Sequence, residues 1–197
     1  QSAQRLTELY ALDGATPIFR TLRKLWDRDR EGQPLLALLS GLARDPLLRA
    51  TQTPVIGLRE GQSLDRDSMT SALRLCVRDR LNDEILDKVV RNASASWTQS
   101  GHLVGRTFKK RQRVRPTPAS VTMALLLGFL QGIRGPGLLR SPWCEALDGS
   151  PELVAATASR AALAGMLRFR QAGDVVEVSF PDLLTKVEIE KASHGSH

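Results

Sequence analysis

Six of the chain's 28 Lys and Arg residues fall within the ten positions Arg106 to Arg115, a stretch without a single acid. The other 187 residues hold 22 basic and 21 acidic side chains, so nearly all of the +7 net charge sits in this one segment. Charge compressed in this way makes a local positive potential, and the chemistry it suits is neutralisation of a polyanion backbone. Arg106, Lys109, Lys110, Arg111, Arg113 and Arg115 are the candidate phosphate contacts. Just upstream, Arg91 to Gln99 supplies short hydrogen-bonding side chains, Asn92, Ser94, Ser96, Thr98 and Gln99, of the kind that reach base edges or phosphates. The same residues also describe a helix end made of small polar side chains. Trp97 fits a packed core as well as a base-stacking role.

Chemistry of other kinds has little to work with. There is no Gly-x-Ser-x-Gly, no phosphate loop ending in Gly-Lys-Ser/Thr, no His-Glu-x-x-His and no metal-spaced Cys/His set. His102 is the one histidine outside the C-terminal tail, so neither a His-based triad nor a His-rich metal site can be assembled. Beside the basic run it suits a structural or phosphate hydrogen bond. The pairs Asp65/Asp67 and Asp83/Glu84 occupy helix-start positions, where the helix dipole accounts for them. Asp27, Asp29 and Glu31 alternate with Arg28 and Arg30, the pattern of a solvated helix end. The sequence therefore predicts a non-enzymatic protein with no cofactor and no metal.

These side chains must be carried by a framework, and composition bounds it. With 197 residues, 42% hydrophobic and 25% charged, the chain can bury a core as one domain or two small ones. Cys76 and Cys144 lack Cys-x-x-Cys spacing and suit a reducing compartment. The opening Gln1 to Leu12 is polar, without the apolar core of a secretory signal. The most apolar stretch, Ala119 to Leu130, is shorter than the ~20 residues that span a bilayer and reads as a buried helix. A cytoplasmic location and no membrane partner follow as expectations.

Helical periodicity dominates the order of elements. Ile18, Leu22, Leu25 and Trp26 share a face after Thr16-Pro17, and Leu35 to Leu42 form a second helix ending near Asp45-Pro46. Thr51 to Gln62 reads as a loop or short extended connection. Asp65 or Asp67 starts a helix carrying Met69, Leu73 and Val77, and Asn82 starts another that stops near Ser100-Gly101. Two short strands follow, with Lys109 to Arg113 as their charged tip. Helix, helix and hairpin is the order of a winged helix-turn-helix. The order then recurs: an apolar helix from Pro118 to Gln131, a short helix from Pro142, a helix after Ser150-Pro151-Glu152, and a hairpin turning at Ala172-Gly173-Asp174. The second helix could bring Thr157, Ser159 and Arg160 to DNA with Arg168 and Arg170 on its wing, although its alanines suit close packing equally well. The predicted class is mainly α with small β-hairpins. A helical N-terminal base (1–62) precedes two winged-helix-like units (63–116 and 117–186) and a disordered tail (187–197). The helix 118–131, apolar nearly all round, must be either the core of the second unit or a subunit interface.

The stretch Leu35-Leu36-Ala37-Leu38-Leu39, with Ala43-Arg44-Asp45-Pro46-Leu47-Leu48, resembles the leucine run and turn of a small helical domain. With Leu81-Asn82-Asp83-Glu84-Ile85-Leu86-Asp87-Lys88-Val89 and Trp97-Thr98-Gln99-Ser100-Gly101-His102-Leu103, it is similar to the recognition unit of the BREX phage-defence A proteins. The similarity spans residues 35 to 105, lacks that family's aromatic at Asp45-Pro46, and does not extend past Pro116. It implies a small prokaryotic winged-helix DNA-binding protein of an antiviral defence system.

The expected function is double-stranded DNA binding within an anti-phage or genome-maintenance assembly, with other protein subunits as further partners and no small-molecule substrate. Two alternatives remain: a scaffold whose winged helices pack on proteins, and a transcriptional regulator that dimerises through 118–131.

Overall fold

The computed structural model describes residues 16–77 and 81–194. The polar segment Gln1 to Leu12 and the last three residues lie outside the described residues. The described residues are mainly helical with two small antiparallel hairpins. It divides into a continuous unit, residues 41–114, and a discontinuous one made of 1–40 and 115–197. This differs from a base at 1–62 followed by two consecutive units. Helix α1 (Pro17–Trp26) packs on α7 (Pro118–Leu130), about 100 positions later in sequence, and no local pattern encodes such a pairing.

In the continuous unit, which begins within α2 (Gln33–Arg44), Asp45 caps α3 (Pro46–Ala50). Its Oδ1 accepts from Leu47 N at 2.8 Å and Leu48 N at 3.2 Å, satisfying donors that a helix start leaves orphaned. The loop or short extended connection expected at 51–62 instead contains a short helix, α4 (Gln52–Ile56). Pro54 is tolerated there because it lies in the first turn, where its missing N–H has no intrahelical partner to lose. Asp65 caps α5 (Arg66–Val77), accepting from Asp67 N and Ser68 N. Asn82 caps α6 (Asp83–Gln99), its Oδ1 accepting from Ile85 N at 2.9 Å. Leu86, Val90, Ala93 and Trp97 recur at helical spacing on α6 and are all buried. At its C-terminus, Gly101 N donates to Thr98 O and His102 N to Trp97 O, the paired bonds of a Schellman cap.

Strands β1 (Leu103–Val104) and β2 (Lys110–Arg111) then pair antiparallel, Leu103 opposite Arg111 and Val104 opposite Lys110. The turn between them is 105–109. The basic residues expected at the tip are therefore partly in the strand, because pairing begins at Lys110. The other edge of β2 is covered by 61–64: Gly61 N donates to Arg111 O, Arg111 N to Gln62 O and Leu64 N to Lys109 O. Trp97 anchors the core of this unit. Its Nε1 donates to Thr51 Oγ1 at 2.8 Å, and that hydroxyl donates on to Leu48 O.

The discontinuous unit is built around α7. Every residue from Ala119 to Phe129 is buried, which places this helix in the core of the chain itself. Thr117 and Ser120 close its N-terminus as a capping box. Asp29, expected at a solvated helix end, is half-buried and accepts from Gly32 N and from Ala119 N at the start of α7. A 3-10 helix (Gly135–Arg140), α8 (Pro142–Glu145), α9 (Pro151–Leu163) and α10 (Lys186–His194) pack around α7. The tail expected to be disordered is thus helical as far as His194; Thr185 and Glu188 start that helix. Strands β3 (Arg168–Ala172) and β4 (Val175–Ser179) form the second hairpin, its turn shortened to Gly173-Asp174 because Ala172 pairs with Val175.

Candidate nucleic-acid interface

Charge separates along the line between the two units. Residues 41–114 hold 14 basic and 8 acidic side chains, so +6 of the +7 belongs to the continuous unit. Within it, a groove of about 260 Å³ runs between α6, the start of α5 and the β1–β2 turn. Arg66, Arg91, Arg106 and Lys109 line it with Ser94, Ala95 and Thr107, and no acidic side chain takes part. Its floor is apolar, from Met69, Val90 and Leu64.

Helix α6 presents two chemically different ends. The acids of its N-terminal part are paired: Asp83 with Arg74, Glu84 with Lys88 at 2.8 Å, and Asp87 with Arg66 at 2.7 Å. Its C-terminal half carries no acid after Asp87, and there Arg91, Asn92, Ala95 and Gln99 are exposed opposite the buried face. Ser96 is half-buried, its hydroxyl donating to Asn92 O, so its hydrogen-bonding capacity is partly used within the helix. Lys109 is held as well as charged: its Nζ donates to Thr98 Oγ1 at 2.9 Å, which ties the hairpin turn to α6.

Arg106, Lys110 and Arg113 are exposed on the hairpin and the residues after it. Two sequence candidates lie elsewhere. His102 is completely buried, with Nδ1 2.8 Å from Ser100 Oγ and its ring edge-on to Trp97, so no phosphate reaches it. Arg111 is 2% exposed, and its guanidinium donates to Gln112 O. The two-residue alternation of the strand turns it inward while Lys110 faces solvent. Neither belongs to a surface site. Trp97 is likewise core.

The remaining candidates fall in the discontinuous unit. Arg115, Arg160, Arg168 and Arg170 are exposed there, with Arg160 donating to Thr157 Oγ1 at 3.0 Å. The second hairpin is electrically neutral over 168–179, two arginines against Asp174 and Glu177, and Arg170 lies directly opposite Glu177. Its potential is unlike that of the first hairpin.

Arg66 was not legible as a site residue. In sequence it is one cation between two cap candidates; the pairing of 61–64 with β2, ending in the bond from Leu64 N to Lys109 O, brings the start of α5 beside the hairpin. The described residues contain no cluster of three or more His, Cys, Asp or Glu placed to hold a metal. Burial pushes the Cys144 thiol up to about 11, which keeps it protonated and packed. Among the described residues no single helix is long and apolar enough to cross a membrane. Comparison of the chain with protein-family models, with curated proteins and with solved structures finds no match.

Proposed function

We propose that residues 41–114 are a winged helix-turn-helix that binds double-stranded DNA without carrying out a reaction on it. The C-terminal half of α6 enters the major groove, where Asn92 and Gln99 face base edges, and the β1–β2 hairpin lies along the backbone as the wing. The observation that carries this reading is the groove lined by Arg91, Arg106 and Lys109, with Arg66 ion-paired to Asp87 at its edge, between a helix with an exposed polar face and a basic hairpin. The order α3–α4, extended 61–64, α5, α6, β1, β2 supports it, because that order sets one helix and one hairpin on the same side of a small core. The resemblance of residues 35–105 to BREX A proteins supports a place in a prokaryotic, cytoplasmic defence assembly with further protein subunits.

The test is fluorescence anisotropy with a labelled duplex over a salt series. Arg91, Arg106, Lys109, Lys110 and Arg113 release counterions on binding, which gives a log–log slope of about −4. Affinity that does not respond to salt favours the protein scaffold instead. A defined palindromic preference together with a dimeric mass favours the regulator.

A further inference from the structure

Phe108 stands 78% exposed in the β1–β2 turn, between Arg106 and the pair Lys109-Lys110. An isolated apolar side chain on a surface needs no explanation. Here three observations converge on one. Its exposure far exceeds that of Phe19 at 41% and Trp26 at 36%. It occupies the most basic segment of the chain, with no acid from Arg91 to Arg115. Its backbone is fixed as well: Gly105 adopts φ +111°, and a Cβ there would run into the Phe108 carbonyl oxygen, so the turn closes only around a glycine. The pair Val104–Lys110 closes the turn, and the exposure of Phe108 leaves its ring in solvent.

We propose that this tip enters the minor groove of duplex DNA with Phe108 as an apolar wedge between base pairs, bending the duplex while Arg106 and Lys110 lie on the flanking phosphates. The proposal rests on the duplex-binding reading above. An apolar side chain inserted at a base step unstacks it and opens the minor groove, and neighbouring cations repay the deformation through added backbone contacts. An anionic bilayer also attracts aromatic and basic residues together. It is engaged by amphipathic helices with a broad apolar face, however, whereas this ring is a single apolar side chain between Arg106 and the pair Lys109-Lys110.

The experiment uses the full chain and a short mixed-sequence duplex carrying 2-aminopurine and an end-to-end energy-transfer pair. Wild type is expected to raise 2-aminopurine emission and shorten the end-to-end distance on binding. Phe108→Ala is expected to abolish both signals and weaken binding about tenfold with the salt slope unchanged, since a stacking contact and no phosphate contact is lost. Phe108→Leu retains most of the bend, and both variants melt with wild type because the ring lies in solvent. If Phe108→Ala binds and bends the duplex as wild type does, the wedge is wrong while duplex binding stands. If wild type ignores the duplex, both readings fall. Binding to phosphatidylserine vesicles that depends on Phe108, without a DNA bend, overturns the wedge in favour of a membrane surface.

Discussion

Arg20 and Glu188, 168 positions apart in sequence, form an ion pair in which Arg20 Nη2 lies 2.6 Å and 2.8 Å from the two carboxylate oxygens. The same carboxylate accepts from Thr185 N at 2.7 Å, so one side chain both starts α10 and fastens it to α1. Burial of the carboxyl by itself raises its pKa, but the hydrogen bonds from Arg20 and Thr185 and the charge of Arg20 outweigh it and hold Glu188 below the ordinary glutamate value. A group whose folded pKa is depressed contributes stability above its unfolded pKa and loses it as pH falls through the folded value. Glu188→Gln is therefore expected to cost about 1 kcal/mol at neutral pH, with the gap to wild type closing as pH falls below the ordinary glutamate range. Thermal melts across pH check this; a gap that stays constant to low pH shows that the carboxylate charge is not what fastens the helix.

Lys110 and Arg111 are adjacent and both basic, yet they should respond oppositely to truncation. Lys110→Ala removes an exposed cation, so duplex affinity should fall several-fold at about 0.1 M salt and the salt slope should lessen by about 1, with the melting temperature unchanged. Arg111→Ala empties a buried position under β2 and should cost the continuous unit about 2 kcal/mol. Anisotropy and thermal melts on both variants separate the two roles. A loss of DNA affinity by Arg111→Ala at full stability contradicts its inward placement.

The contrast between these neighbours also marks what the sequence could disclose. Periodicity and cap chemistry are local, which is why the helix starts at Asn82 and Ser150 and the turn at Gly173 could be read directly, and the start of α5 narrowed to Asp65 or Asp67. Burial of a charged side chain is set by strand register. Register at β2 depends on the partner segment 61–64, and nothing in Lys109 to Arg113 shows which cation turns inward. His102 was open to misreading for the same reason: its burial follows from the Schellman cap that folds it back on Trp97. The division at residues 40 and 114 was hidden because α1 packs on α7 and Asp29, in the turn after α1, accepts from Ala119 N, and these contacts carry no sequence signature. The groove residues Arg91, Arg106 and Lys109 were visible as charges. Their convergence with Arg66 required the fold.

Gly173 takes φ +57° in the two-residue turn between β3 and β4, and nothing lies within 4 Å of where a Cβ would stand. Space is available, so a substitution there pays only for the backbone. Gly173→Val places a β-branched side chain in a left-handed conformation and is expected to cost about 1–2 kcal/mol, whereas Gly173→Asn, more tolerant of positive φ, costs less. Chemical denaturation of the two variants orders them. Equal stability for valine and wild type contradicts the turn geometry.

Leu126 and Leu163 test whether α7 is a core helix or a contact surface for other subunits. Leu126 is fully buried within α7, while Leu163, at the end of α9, is 91% exposed. A charge at Leu126 has no counterion and no water in a helix whose neighbours from Ala119 to Phe129 are all buried. Leu126→Asp should therefore abolish cooperative folding of the discontinuous unit, a loss of more than about 4 kcal/mol. Leu163→Asp changes a side chain already in water and should move stability by less than about 0.5 kcal/mol. Near-UV circular dichroism and light-scattering mass on both proteins give the answer. A Leu126→Asp protein that keeps its tertiary signal but falls in mass shows that α7 holds subunits together. Loss of the tertiary signal by that variant alone shows that α7 is held by its own chain.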